Sequence, residues 1–429
     1  MTRWALDVAR ERGHDVVAAL LVGGVEKLHP GEAIEVGAPL IPLHGDRMTS
    51  LGEAIAAHAP EGVLDLSDEP VLGYRERMEL AAVTLAAGLP YLGSDFRLDP
   101  PIEGPSLGVP TVAVIGTGKR TGKTAVAGGL ARLAAGMGLD PIVVAMGRGG
   151  PAEPEVAEAG SVDLERLRQL VRDGRHAASD HLEDALTTGV TTIGARRAGG
   201  GLAGAPWASN VREAAELAAA RRPGLVILEG SGAAVPPVPW DAGVLVVPAS
   251  APPEYLGGYL GPFRLLLSDL VVFTMAADPD QGSENLSALR SRLRRYLGDA
   301  RHVVTDFSPV PLADVQGRRG FFATTAPGAV AERQVRHLES AHGCSVVGWS
   351  ARLADRAGLA QDLDEADDYD VLLTELKAAA VDVACERALS RGAEVVFVDN
   401  RARVVEGDID LDTALRSVVE TALRRGRDR

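Results

Sequence analysis

The string Gly116-Thr-Gly-Lys-Arg-Thr-Gly-Lys-Thr124 holds the residue types that grip a terminal phosphate. Glycines at 116, 118 and 122 let backbone amides turn inward around an anion, and a helix starting there adds partial positive charge. Lys123 can then bridge β- and γ-phosphates, and the Thr124 hydroxyl can ligate Mg²⁺. Such a loop points to ATP with magnesium and to phosphoryl transfer. Its spacing departs by one, because five residues, and not the usual four, separate Gly116 from Gly122. Thr117 holds the expected place of the leading glycine, while the Gly-Lys-Thr end keeps its setting between strand and helix. Lys119 and Arg120 add charge to the loop, where they are either solvated or in contact with nucleotide phosphates or a phosphorylated acceptor. With Lys123, Lys119 is a candidate to act on the transferring group.

The run Leu225-Val-Ile-Leu-Glu-Gly-Ser-Gly232 is an apolar strand ending in Glu229. A carboxylate at the carboxyl end of a strand, beside the phosphate-loop strand, is where a Mg²⁺-associated acid belongs; a turn or helix-capping carboxylate is the plain alternative. The arrangement resembles the Glu-Gly-x-Gly that follows a strand in dethiobiotin synthetase and related P-loop synthetases. Glu229 joins Thr124 as a candidate metal-site residue. No Asn-Lys-x-Asp guanine signature occurs, and Met275 is followed by Ala-Ala-Asp-Pro, which favours ATP over GTP.

Arginine so outnumbers lysine that only Lys27, Lys119, Lys123 and Lys377 remain. Lysines that survive such a bias mark places where a compact ammonium is needed. Arg148 in Met-Gly-Arg-Gly-Gly-Pro151, and Arg196 with Arg197 in Gly-Ala-Arg-Arg-Ala-Gly-Gly-Gly201, follow expected strand ends. Arginines amid glycines there can clamp oxyanions, so an acceptor bearing more than one phosphate or carboxylate is expected, with surface solvation the alternative. Lys377 falls at an expected helix start, against the helix dipole unless an anion lies there. Arg75 and Lys27 are further candidates from the first segment. The histidines lack metal-ligand spacing.

The chain has 429 residues and a net charge of −15, which argues against bulk nucleic-acid binding. Cys344 and Cys385 are too few for a disulfide framework or a thiolate zinc cage. No apolar run spans a bilayer and no signal peptide is visible, so a cytoplasmic protein without membrane contact is expected.

These residues need a scaffold that gathers strand ends, and the chain supplies three α/β segments. Residues 1–105 read as a small α/β domain of alternating helices and strands, with a first strand expected ahead of residue 1. Residues 99–110 read as a linker. Residues 106–300 form the expected nucleotide-binding domain, a doubly wound P-loop sheet with strands near 111–115, 142–146, 191–194, 225–228, 244–247 and 270–275. Residues 301–429 continue the alternation as a smaller C-terminal α/β domain.

Taken together, the strings at residues 116–124, 146–151, 192–204, 228–232 and 375–382, with 23–27 and 65–77 in the first segment, resemble the cyclic 2,3-diphosphoglycerate synthetase family. That resemblance implies an ATP-dependent closure of 2,3-bisphosphoglycerate into a cyclic phosphoanhydride. Lys123, Mg²⁺ and Lys119 would stabilise the transferring group, while Arg148, Arg196, Arg197 and Lys377 would hold the bisphosphate. A homodimer is expected. However, the signature lysine of dimeric P-loop synthetases and ATPases falls at Gly118, one place before Lys119. Another ATP-dependent synthetase or kinase for small acids, of the dethiobiotin-synthetase kind, and a nucleotide-switch chaperone are the competing readings.

Overall fold

The computed structural model of the chain describes residues 2–23, 36–277, 282–298, 301–407 and 409–428. Its core is one mixed sheet, thirteen-stranded among the described residues. The phosphate-loop strand Thr111–Gly116 runs parallel between Leu225–Glu229 and Ala242–Pro248. Beyond Leu225–Glu229 lie Pro141–Gly147 and Thr191–Ala198, and beyond Ala242–Pro248 lies Leu270–Thr274. Strands read from apolar runs prove to be buried on both faces, as parallel strands covered by helices must be. Val112 and Val114 face one apolar cluster, while Ala113 and Ile115 face the other.

The strand His302–Pro311 belongs to both halves of this sheet. Residues 302–304 pair in parallel with Leu270–Thr274 on one edge, and residues 304–311 pair antiparallel with Glu394–Glu406 on the other, with a register shift between Val304 and Thr305. Val371–Thr374, Arg319–Ala323 and Ser345–Ser350 extend the sheet from there. The strand that opens the C-terminal segment thus pairs with strands of both segments.

The last helix, Leu411–Arg427, does not stay with the strands that precede it. Leu415, Val418, Val419 and Ala422 pack into the cluster that holds Val126, Leu130 and Ala134 of the phosphate-loop helix, Lys123–Gly136. The chain's end therefore covers one face of the nucleotide-binding sheet.

The first segment differs from its reading. In place of one parallel sheet it has two-residue strands: Ala19–Leu20 beside Leu40–Ile41, and Val63–Leu64 beside Tyr91–Leu92 and Arg97–Leu98. Its helices Arg47–His58 and Tyr74–Ala86 bury Leu51, Leu80 and Leu85 against Leu260 and Phe263 of the central domain. Short strands gain little from pairing alone, so this segment rests on that apolar contact.

Truncating Leu415 tests the borrowed helix. Leu415 is fully buried, so Leu415→Ala is expected to cost about 2–5 kcal/mol, read as a lower urea midpoint. An unchanged midpoint would show that the helix is not part of the core.

Candidate active site

The strand Thr111–Gly116 delivers the chain to a turn built by two left-handed residues, Arg120 (φ 57°) and Gly122 (φ 90°). Successive amides of this kind form an anion-binding hollow. The displaced glycine has a steric reason. A Cβ on Gly116 would lie 2.7 Å from Thr121 Oγ1 and 3.1 Å from Lys123 Cδ, so the Lys123 stem needs a glycine at the strand end. Thr274 Oγ1 donates to the Thr121 carbonyl at 2.7 Å and pins the loop to a neighbouring strand. Lys123 Nζ donates to the Gly118 carbonyl at 2.8 Å and to Thr121 Oγ1 at 3.3 Å, curled inside the hollow. Burial lowers its pKa to about 8, opposed by Glu229 and Asp180.

Glu229 ends the adjacent strand in register with Val114. Its Oε1 accepts the Thr124 hydroxyl at 2.7 Å. The carboxyl is buried, and its Oε2 has no donor; neither has either oxygen of the buried Asp184 facing it. Burial, then the charge of Asp180, pushes Glu229 up to about 7. Burial, then Glu229, pushes Asp184 well above the usual carboxylate range. Two facing acids in such a place keep a proton between them or wait for a cation.

Asp180, Glu183 and Asp184 lie on one face of the helix Asp180–Thr188, a trio that the sequence reading passed over. The signal was an acidic stripe at spacings of three and four, which normally marks a solvated face. Here Gly194 turns the stripe inward. A Cβ on Gly194 would lie 2.5 Å from His181 Nδ1, so the glycine lets the helix press onto the strand Thr191–Ala198. The Thr192 hydroxyl fastens the contact by donating to the His181 carbonyl at 2.7 Å. Asp180 opens onto the crevice beside Gly147, with its Oδ2 3.2 Å from where a Cβ there would sit. Its crowded surroundings push its pKa up, Lys377 and Lys123 pull it down, and solvent tempers both.

Lys377 reaches this wall from the C-terminal half. It lies in a turn ahead of a π-helix, Ala380–Cys385, and not at the α-helix start expected for it. Buried Glu375 anchors the turn by accepting from Thr324 Oγ1 (2.9 Å), Thr325 Oγ1 (2.9 Å) and Asn400 Nδ2 (2.6 Å). Half-buried Lys377 places Nζ 3.4 Å from Glu183 Oε1, and Glu183 holds its pKa up. The anion that offsets the lysine is thus the protein's own acidic stripe.

A cationic wall stands opposite. Arg196 and Arg197 lie within the strand Thr191–Ala198 and not in a loop after it, so they point to opposite faces. Arg197 turns inward, where its guanidinium donates to the Ser231 carbonyl at 2.7 Å and to Ser231 Oγ at 3.2 Å. Arg196 turns away and donates to the Gly150 carbonyl at 2.9 Å. Burial, then the nearby charge of Arg148, lowers the pKa of Arg197. Gly232 has Arg197 Nη2 at 3.1 Å and Lys119 Cγ at 3.6 Å from where its Cβ would be. Lys119 and Arg197 thus converge on Gly232, with exposed Arg148 near enough for its charge to act on Arg197, and among the described residues none of the three pairs with a carboxylate. Arg264, unmarked by any sequence motif, supports the same loop from beneath. It is buried and donates to the Ala233 carbonyl at 2.7 Å, and burial lowers its pKa to about 10.

Arg120 is exposed on the loop. Arg75 is set apart beside Tyr296, which with Arg295 holds buried Glu79 (2.7 and 3.0 Å). Lys27 lies outside the described residues.

Among the described residues no cluster of three or more His, Cys, Asp or Glu is shaped to hold a metal ion by itself. The donor set still fits a partly hydrated Mg²⁺, since Thr124 and Glu229 meet at one point and buried carboxylate oxygens there lack donors. No helix among the described residues is long and apolar enough to cross a membrane.

Three family models match the chain: the cyclic 2,3-diphosphoglycerate synthetase N-terminal domain over residues 1–99, its P-loop domain over 111–305 and its C-terminal domain over 311–401. A cyclic 2,3-diphosphoglycerate synthetase of Rubrobacter xylanophilus is 47% identical, covering 97% of this chain and 93% of that protein. One from Methanothermobacter thermautotrophicus is 42% identical, covering 99% and 94%. Among solved structures, LpxK from Aquifex aeolicus in complex with ATP aligns over 75% of this chain and 91% of that chain, at a TM-score of 0.40 and 14% identity, too slight a likeness to argue from.

The proton held by Glu229 gives a stability signature. Its folded pKa, about 7, lies above the ordinary 4.5. The contribution is therefore complete below about 4.5 and is lost as pH rises through about 7. Nucleotide-free protein is expected to melt at a lower temperature as pH climbs across that window, with a flatter slope for Glu229→Gln. Equal slopes would mean that Glu229 is not a buried acid.

Proposed function

The chain belongs to the cyclic 2,3-diphosphoglycerate synthetase family, and we propose that it closes 2,3-bisphosphoglycerate into cyclic 2,3-diphosphoglycerate at the expense of ATP, releasing ADP and phosphate. The observation that carries this reading is the wall of Lys119, Arg148 and Arg197. These cations lack carboxylate partners among the described residues; Lys119 and Arg197 flank Gly232, and the charge of Arg197 is felt at Lys123. Joining two phosphates of one small molecule brings dianions together, and fixed cations offset that repulsion before any bond forms.

The loop amides and Lys123 hold the triphosphate of ATP, with its γ-phosphorus facing the crevice. Lys119, Arg148 and Arg197 hold the bisphosphate so that an oxygen of one substrate phosphate lies in line with that phosphorus. Attack forms a new phosphoanhydride and breaks the bond to the β-phosphate, and ADP leaves. An oxygen of the second substrate phosphate then attacks the substrate phosphorus of the activated group. That closes the ring and expels the terminal phosphoryl group as inorganic phosphate. Lys123, released from the Gly118 carbonyl, follows the γ-phosphoryl group, and Lys119 meets the leaving phosphate. Thr124 and Glu229 would hold Mg²⁺, which when bound neutralises charge on the β- and γ-phosphates. Lys377 keeps Asp180 and Glu183 neutralised on the acidic side, so that they do not repel the entering substrate. Arg196 and Arg75 stand in this reading as outer contributors to the cationic field that draws an anionic substrate, and Lys27 remains a candidate on sequence grounds alone. The reading places the enzyme in the cytoplasm as a homodimer, with a small anionic substrate and no nucleic acid.

Phosphorus NMR of a reaction containing ATP, Mg²⁺ and 2,3-bisphosphoglycerate is expected to show a cyclic anhydride resonance; ATP turnover indifferent to the bisphosphate would overturn the proposal. Arg148→Ala is expected to raise KM for the bisphosphate about ten- to a hundredfold, the scale of one charge-assisted contact, with ATP affinity unchanged. Lys123→Ala is expected to lower kcat by about a hundredfold or more.

A further inference from the structure

The crevice has two sides, and the chemistry above uses one of them. On the side of strands Leu225–Glu229, Pro141–Gly147 and Thr191–Ala198 lie the acids and cations just described. On the other side, the carboxyl ends of Ala242–Pro248, Leu270–Thr274 and the parallel part of His302–Pro311 lie side by side. Once a triphosphate is seated in the loop, its nucleoside must leave across one side. The charged side is where an anionic acceptor has to enter.

The second side is apolar. After Thr274 come Met275, in a left-handed turn (φ 57°), and two alanines. The Ala276 amide donates to the Thr305 carbonyl at 3.1 Å, which ties this turn to the neighbouring strand. The neighbour bends there. The irregularity between Val304 and Thr305 is a register shift in its antiparallel pairing, and it falls where the parallel pairing ends. Bulges of this kind re-aim side chains. The side chain re-aimed is Phe307, whose Cζ lies 2.3 Å from where a Cβ of Gly122 would be, so its ring rests on the main chain of the phosphate loop. Phe307 is half-buried and retains open surface.

From this juxtaposition we infer that Phe307 is the stacking platform for the purine base of the nucleotide, over the ends of strands Leu270–Thr274 and His302–Pro311. A base offers a flat apolar face to an aromatic ring, and such stacking is tolerant of base identity. That suits a site whose neighbouring turn, Met275-Ala276-Ala277, lacks a side chain to read a guanine edge. The inference rests on the ATP reading and deepens it.

The test compares ATP with inorganic tripolyphosphate, which has the phosphates without the nucleoside, by calorimetry on the full chain with Mg²⁺. Wild-type protein is expected to bind ATP more tightly than tripolyphosphate. Phe307→Ala and Phe307→Leu are expected to weaken ATP about ten- to a hundredfold, the range of one base–aromatic stack, and to leave tripolyphosphate unchanged. Phe307→Trp is expected to keep ATP affinity, with indole fluorescence quenched by ATP but not by tripolyphosphate. Equal weakening of both ligands would show that the ring only props up Gly122, and unchanged ATP binding would show that the base lies elsewhere; either overturns the assignment. Wild-type protein that binds neither ligand would instead refute the ATP reading itself.

Discussion

Two parallel strands are held in one register, and the site depends on that. Because Glu229 is in register with Val114, the carboxyl end of its strand lies beside the first helical turn after the phosphate loop. The Thr124 hydroxyl and the Glu229 carboxyl meet there at 2.7 Å. Moving a carboxylate out of water costs several kcal/mol unless donors or cations replace the lost hydration, on the order given for buried ions. One hydroxyl is a partial replacement, and Asp184 makes the balance worse. The floor of the crevice is therefore poised to take up a proton or a cation, and the rigidity of a sheet buried on both faces keeps it from relaxing.

Charge is segregated around this floor. The acidic stripe of the helix Asp180–Thr188 is met by Lys123 from the loop and Lys377 from the C-terminal half. The cations opposite have no such partners, and Arg264 below them is buried with carbonyls alone as acceptors. In a chain carrying −15 overall, available carboxylates are plentiful. Cations left unpaired at one crevice are therefore the physical ground for the proposal that an outside anion supplies the missing charge there.

The C-terminal half contributes more than a neighbouring sheet. Its turn at Glu375–Lys377 reaches the acidic wall, the bulged strand presents Phe307 to the loop, and the last helix covers the nucleotide-binding sheet. Three separate contacts thus tie the phosphate loop, the acidic helix and the phosphate-loop helix to residues that follow them by nearly two hundred positions or more.

Much of the nucleotide-binding half was legible in the chain itself. Short continuous apolar runs, glycines before a lysine and threonine, and an acid closing a strand are local patterns, and local backbone geometry realises them directly. Arg196 and Arg197 looked alike because adjacency in sequence does not say whether a strand has ended; pairing with Pro141–Gly147 extends it and sends them to opposite faces. Asp180, Glu183 and Asp184 look like a solvated helix face until Gly194 allows the helix to press inward. Phe307 and Leu415 carry no local mark, and the scarcity that singled out Lys377 did not say what it meets, since these roles arise from contacts between segments distant along the chain. The sequence by itself determined which strands and turns form and where a phosphate is gripped. Only tertiary packing decided which charged and aromatic side chains face that grip, because facing is set by register and close approach between elements that share no local sequence signal.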